Sequence, residues 1–323
     1  MNTSPLRRPS LLVLTGLASV LLTGCGGSSS PSSSPSSSSS ASPEPAVSAS
    51  TGPGAVAVVT STNVYGDIVR QIGGDKVAVT SFIASPDQDP HSYEANPQNQ
   101  LALSKAKVII ENGGGYDDFM DTMRDAAGNT SAPVLNAVDI SGKTAAAGEE
   151  LNEHVWYDFP SVARLADSIA AALGKADPSG AAAFTAGAET FKQKLKPLEE
   201  QEAAIAQTAK GTAVAITEPV PLYMIEACGL TDASPEEFSE AIEEGNDVSP
   251  RVLRDTLALF TGKKVQALVY NSQTAGPETE KVRDAATGNG IPVVPVTETL
   301  PSGEDYIGWM TANLDSLGKA LGR

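Results

Sequence analysis

The chain has 323 residues, with 22 Lys and Arg against 39 Asp and Glu, a formal net charge of −17, and only two cysteines and two histidines. That balance lacks the basic stripe of a nucleic-acid binder, and no apolar run after residue 24 approaches the roughly 20 residues of a membrane-spanning helix. Setting aside the first 54 residues leaves 269 of ordinary composition, enough for two lobes, each with its own core.

The N-terminus reads as an address and a tether. Met1 to Ser10 carries Arg7 and Arg8 and no acid, and Leu11 to Leu22 forms an apolar stretch of 12 residues, the length of a signal-peptide core. It ends in Leu22-Thr23-Gly24-Cys25, which looks like a bacterial lipobox. Residues 1–24 are therefore expected to be a lipoprotein signal peptide, with Cys25 diacylated after cleavage. Two acyl chains anchor stably where one does not, each buried methylene adding about 0.8 kcal/mol. Loss of Arg7 and Arg8 takes the mature chain to near −19. Residues 25–54 are dominated by Ser, Pro, Ala and Gly and cannot bury enough apolar surface to fold, so they are expected to be a disordered spacer. The expected location is the outer face of the cytoplasmic membrane. With Cys25 acylated, Cys228 has no disulfide partner. Its setting in Ile225-Glu226-Ala227-Cys228-Gly229 reads as a helix end capped by Gly229, with the cysteine a small buried residue.

Beyond the tether, Val56 to Val59 reads as a buried strand and Asn63 to Ile72 as a helix stopped by Gly73 and Gly74. A second strand, Val77 to Phe82, leads through the polar loop Ala84 to Asn96 into a helix that Pro97 starts and that ends between Ser104 and Lys107. Val108 to Ile110 is a third strand, running into Glu111-Asn112-Gly113-Gly114-Gly115 and a helix from about Tyr116. This alternation argues for a parallel sheet covered on both faces, with functional loops at the carboxyl ends of its strands.

Val162, Leu165, Ile169 and Leu173 then recur at helical spacing. From Ala182 to Ala209, the residues Phe184, Phe191, Leu195, Leu198 and Ile205 mark a second helix, which Pro197 should kink. A helix of about 28 residues is roughly 42 Å long, which suits a strut between lobes better than a core helix. The alternation resumes with the strand Ala213 to Ile216, a helix after Pro219, and helices near Pro235 to Ile242 and Pro250 to Phe260. The strand Ala267 to Tyr270, a helix near Glu278 to Ala286, the strand Pro292 to Val296 and a last helix over Glu304 to Leu321 complete the chain. The expected fold class is α/β, with an N-terminal lobe over 55–181, a linker helix over 182–209 and a C-terminal lobe over 210–323. Each lobe is a mostly parallel sheet flanked by helices.

Both histidines fall in loops rich in carboxylates and aromatics. His91 lies in Asp89-Pro90-His91-Ser92-Tyr93-Glu94, and His154 in Glu153-His154-Val155-Trp156-Tyr157-Asp158. Imidazole is the commonest metal ligand because its neutral form is available near pH 7, and a site would need two further donors. The His91 loop and the His154-Val155-Trp156 segment resemble those of the solute-binding lipoproteins of zinc and manganese ABC importers. The resemblance runs from Val56 to the C-terminus, including Glu111-Asn112-Gly113 and Tyr270-Asn271-Ser272-Gln273-Thr274. It implies two pseudo-symmetric lobes joined by one long helix, with a divalent cation held by four ligands in the cleft.

Carried over residue by residue, the resemblance makes His91 and His154 the first two ligands and Glu218, in Ile216-Thr217-Glu218-Pro219, the third. The fourth is usually an aspartate; here Val296-Thr297-Glu298-Thr299-Leu300-Pro301 offers Glu298, with Glu304 and Asp305 as nearby substitutes. Asp305 also reads as the cap of the last helix, Glu94 as a residue orienting the His91 imidazole, and Trp156 and Tyr157 as packing beneath the cleft. Two imidazoles and two carboxylates suit Mn²⁺ or Fe²⁺, whereas Zn²⁺ outcompetes Mn²⁺ at almost any N/O site. Manganese and zinc both stay open as cargo, with iron a minor option.

The function expected is capture of that cation by a tethered monomer and its delivery to an ABC permease and its ATPase. A surface adhesin or structural lipoprotein with a bound metal is the alternative. A metal-dependent hydrolase is a weaker one, since no His-Glu-x-x-His element is present and the candidate ligands spread from 91 to 298. The chain is accordingly expected not to be an enzyme.

Overall fold

The computed structural model describes residues 54–85, 93, 96–145 and 151–322. The signal and tether segments, Cys25, His91 and Glu94 lie outside the described residues.

Alternating apolar side chains build two parallel sheets. In the first lobe the order of elements is β1 (Val56–Thr62), α1 (Asn63–Gly73), β2 (Val77–Ile83), α2 (Pro97–Lys105), β3 (Val108–Glu111), α3 (Phe119–Ala127), β4 (Val134–Asn136), α4 (Ala137–Ser141) and α5 (Phe159–Ala176). The long α6 (Ala181–Ala209) follows. The second lobe runs β5 (Ala213–Ile216), α7 (Leu222–Ala227), β6 (Thr231–Asp232), α8 (Glu236–Glu243), α9 (Pro250–Thr261), β7 (Leu268–Asn271), α10 (Pro277–Gly288), β8 (Val293–Val296) and α11 (Tyr306–Ala320). The sheets have strand orders β2-β1-β3-β4 and β6-β5-β7-β8, with every pairing parallel. The second order is the first displaced by four strands, so the two lobes repeat one topology. In each sheet the order reverses beside the first strand, and ligands of open α/β sheets sit at the carboxyl ends of the strands flanking such a point.

The period-two alternation of these strands assigns their side chains to separate cores. Val56 and Val58, Val108 and Ile110, Val214 and Ile216, Val269, Val294 and Val296 all point into one apolar core shared by the two lobes. Helices α1, α5, α6 and α11 fill that core with Ile68, Leu165, Phe191 and Leu314 among others. The opposite faces bury against outer helices. Val59 and Ile109 meet Leu103 of α2 and Met120 of α3, while Leu268 and Tyr270 meet Phe238 of α8, Phe260 of α9 and Val282 of α10.

Two short edge strands, β4 and β6, and the short α4 were not anticipated. β4 spans three residues, all only partly buried, and β6 spans two, too few for alternation to register. The third helix begins at Phe119, not Tyr116, because the turn before it carries Tyr116 into the core.

α6 has 29 residues and continues through Pro197. Its buried positions, Phe184, Ala188, Phe191, Leu195, Leu198, Glu202, Ile205 and Ala209, step alternately by four and three, which gives one straight apolar stripe. The helix lies so close to α1 that a Cβ at Gly187 would strike the carbonyl of Ile72. Gly187→Ala should therefore cost about 1–3 kcal/mol, the usual penalty of overpacking, measurable by denaturant unfolding.

Glu202 is the exception in the stripe. It is 6% exposed, and its Oε1 has no hydrogen-bond partner. Burial raises its pKa from 4.5 to about 8, and the charges of Asp158 and Glu199 add to the shift. Burial also lifts the thiol of Cys228 to about 12, with Glu202 contributing, so Cys228 is a packed and unreactive side chain beside left-handed Gly229. Because the folded protein holds the Glu202 proton more tightly than the unfolded chain, this group favours folding at low pH. That stability should drain away as pH rises from about 4.5 to about 8. Glu202→Gln should match the parent protein near pH 4.5 and exceed it by about 1–3 kcal/mol at pH 9, as read from urea melts at both pH values.

Candidate metal centre

The carboxyl ends of the strands bring the candidate donors into the region between the sheets. Glu218 follows β5, Asn271 ends β7 and Glu298 follows β8. Glu218 and Glu298 are 2% and 1% exposed, so two acids are buried at one place. The Asn271 side-chain amide joins them: Nδ2 donates to Oε1 of Glu298 at 2.7 Å and to Oε2 of Glu218. The amide's orientation is fixed because its Oδ1 accepts from the backbone N–H of Gln273 at 3.1 Å. Tyr116, from the first lobe, donates its hydroxyl to Oε2 of Glu298 at 3.1 Å. Burial, then the Glu298 charge, pushes the Tyr116 pKa well above 10 and keeps it a donor.

Two carboxyl side chains gathered on one amide offer the oxygen donors that divalent cations accept, so the donor set fits such an ion.

Gln273 fixes the loop that carries Glu298. Its Oε1 accepts from the backbone N–H groups of Glu298 and Thr299 at 2.7 and 2.9 Å. From the other side, Asn63 pairs doubly with the backbone of Leu300, at 2.8 and 2.9 Å, and Tyr157 donates to the carbonyl of Thr297 at 2.7 Å. The acid of the second lobe is thus positioned partly by residues of the first. Asp305 caps α11, its Oδ1 accepting from the backbone N–H of Gly308 at 2.7 Å, and Glu304 is exposed. Glu298 is therefore the acid of that loop that sits beside Glu218.

His154 is fully buried at the head of a short 3-10 turn, Val155–Tyr157. Its ring lies edge-on to Tyr116 and to Trp156, with centroids 5.9 and 5.0 Å away. Oδ1 of Asn152 accepts from the His154 backbone N–H at 3.1 Å and lies 2.8 Å from its Nδ1. Since that oxygen is an acceptor, Nδ1 donates to it, and Nε2 is the ring nitrogen that points away from Asn152. Asn152 also bonds across the lobes, donating to the carbonyl of Pro219 beside Glu218 at 3.1 Å. Nε2 of His154 faces Glu243 of α8, whose Oε1 is 3.5 Å away. Among the described residues, the trio whose potential ligand atoms all lie within 4.8 Å of one another is Glu153, His154 and Glu243.

Of the candidate ligands singled out in the sequence, His154, Glu218 and Glu298 fall within the described structure, and Asn152, Tyr116, Asn271, Gln273 and Glu243 lie against them. Asn271 and Gln273 belong to the strand-end segment Tyr270 to Thr274 already noted in the sequence. Trp156 and Tyr157 are buried where packing was expected, with Tyr157 adding its bond to Thr297.

Residues 58–320 match the family described as "Zinc-uptake complex component A periplasmic" (ZnuA). The chain belongs to this family. Among relatives of this family member, the manganese-binding lipoprotein MntA of Bacillus subtilis (strain 168) is 26% identical over 333 residues, covering 97% of this chain and 99% of its own. The manganese ABC transporter substrate-binding lipoprotein scaA of Streptococcus gordonii is 25% identical over 287 residues, covering 82% and 89%. Among solved structures, the periplasmic zinc-binding protein TroA of Treponema pallidum superposes with a TM-score of 0.71 at 22% identity, covering 84% of this chain and all of its own. That likeness shows the shared two-lobe α/β fold. Proteins of this kind are substrate-binding components of importers and not enzymes. No helix among the described residues is long and apolar enough to cross a membrane.

Asn152→Ala removes both the tautomer lock on His154 and a bond between the lobes. It should weaken divalent-cation affinity by about 10–100-fold, the usual effect of losing the partner behind a ligand, while circular dichroism stays unchanged. Calorimetric titration checks it.

Proposed function

We propose that this family member is the lipid-anchored, extracytoplasmic substrate-binding component of an ABC importer. It captures one divalent transition metal between its lobes and hands it to a membrane permease driven by an ATPase. The cation is the cargo, with His91, His154, Glu218 and Glu298 as its ligands. Cys25 is the lipidation site, residues 25–54 are the tether, and the chain works as a monomer. The lobes are taken as 55–181 and 210–323, with 182–209 as the strut between them.

The observation that carries this reading is the buried carboxylate pair, Glu218 and Glu298, gathered on one amide at the ends of β5, β7 and β8. Folding gathers two carboxyl side chains there, and oxygen donors grouped in this way are ones that a divalent cation accepts. Oxygen-rich donors favour Mn²⁺ as the cargo, in line with the manganese relatives, and Zn²⁺ competes for the same ligands.

Calorimetric titration of the demetallated full chain in detergent should show one Mn²⁺ bound per chain, with Zn²⁺ able to displace it. His91→Ala and Glu218→Ala should each weaken binding by more than the about 100-fold that a lost supporting partner can cost, leaving the fold intact. Glu218→His should shift preference towards Zn²⁺. Stoichiometric tight binding retained in both alanine variants would overturn this site.

A further inference from the structure

Beside the buried carboxylate pair runs a second feature that the four-ligand reading does not use. A cleft of about 900 Å³ opens against the His154 turn, between the first lobe and α7 and α8 of the second. The described residues lining it include Glu153, Glu226, Glu236, Glu240, Glu243 and Glu244, and no lysine or arginine. A cleft lined by one sign of charge concentrates counter-ions and speeds their arrival. Carboxylates alone would do no more than that. Here two of the lining acids converge on a buried imidazole behind the cleft wall: the ligand atoms of Glu153, His154 and Glu243 lie within 4.8 Å of one another, and Nε2 of His154 is 3.5 Å from Oε1 of Glu243.

We propose that Glu153, His154 and Glu243 form an outer cation station at the inner end of the acidic cleft, which a divalent metal occupies before it passes to the site containing Glu218 and Glu298. The proposal rests on the metal-capture function argued above. Its chemistry follows from three points. One nitrogen and two carboxylates are a donor set that first-row divalent metals accept. Glu153 and Glu243 are only partly buried, with the Glu243 side chain 15% exposed, so an ion arriving from solvent reaches them first. Nδ1 of His154 is held by Asn152, which leaves Nε2 as the ring's one ligating atom. A single Nε2 serves one ion at a time, so the two stations fill alternately and the total stays at one ion per chain. Glu153 belongs to the first lobe and Glu243 to the second, so an ion at the outer station ties α8 to the His154 turn.

The test uses the demetallated full chain in detergent and follows the loss of the free Mn²⁺ electron paramagnetic resonance signal. In the Glu218→Gln/Glu298→Gln variant, tight binding should be lost and a weaker one-to-one site should remain. Adding Glu243→Gln should weaken that residual site by at least about tenfold, the lower bound for losing even a supporting partner. Glu153→Gln on the same background should do likewise, which guards against a folding defect in either variant. Both glutamines keep the side-chain size, and unchanged melting of the metal-free protein verifies the fold. Residual binding that ignores both substitutions, or no residual binding at all, overturns the outer station while the capture function stands. If the parent chain binds neither Mn²⁺ nor Zn²⁺, or the double variant binds as tightly as the parent, the capture function fails and the outer station with it.

Discussion

The structure depends on keeping two buried acids side by side. A carboxyl group inside a protein is costly to bury unless it is hydrogen-bonded, and Glu218 and Glu298 are buried together. The surrounding chain supplies neutral donors: the Asn271 amide to both, and the Tyr116 hydroxyl to Glu298. Hydrogen bonds to charged groups contribute about 1.5–3 kcal/mol each. That is enough to hold the pair in place. The strand order explains why the pair forms here. β5 and β7 are neighbours at the reversal point of the second sheet, and β8 lies next to β7, so residues just past their carboxyl ends meet without any long loop.

Metal capture between two lobes is often pictured as two rigid bodies on a free hinge. The packing of this chain argues for something tighter. One apolar core runs from β1 through α6 to α11, and it contains residues of both sheets. Hydrogen bonds cross the lobes on several sides of the site: Asn63 with Leu300, Tyr157 with Thr297, Asn152 with Pro219, and Tyr306 with both Asp67 and the Trp156 carbonyl. Separating the lobes wholesale would open that core and break these bonds together. Interiors this continuous favour small shifts of single elements over hinge rotation.

How much of this was legible in the sequence follows from the range of each interaction. Val56 to Val59 and Val108 to Ile110 declare themselves because burial on both faces needs a local apolar run. The strut is legible from Phe184, Phe191, Leu195, Leu198 and Ile205, one stripe of one helix. Glu202 sits on the same stripe, and its burial is invisible locally because it depends on what the second lobe packs against it. Strands β4 and β6 were missed because two or three residues carry no period. At the site, histidines are rare enough to draw attention and Glu218 stands where a strand ends. Asn152 looked like an ordinary loop residue and Asn271 like an ordinary strand end; their contacts come from partners 67 and 53 positions away in the chain. Glu243 was lost among the many acids of an acidic chain, since only folding brings it to His154.

The division of the cores also says which element is free to move. Helix α8 buries Phe238, and packs Ile242, against the outer core of the second sheet, alongside α9 and α10. It contributes nothing to the core that both lobes share. A displacement of α8 therefore leaves that shared core in place, together with the bonds from Asn271, Tyr116 and Asn152 to Glu218, Glu298 and His154. Since Glu243 is its last residue, the end of α8 can approach or leave the His154 turn while the inner donors stay fixed. On the two-station proposal, the same arrangement separates two requirements that conflict in a single site. The proposed inner ligands are buried, which suits retention, whereas Glu243 stands on a helix that packs only against the outer core of its own sheet, which suits entry and exit. In that proposal an ion held by the shared imidazole exchanges its carboxylate partners one at a time, without the two lobes having to come apart.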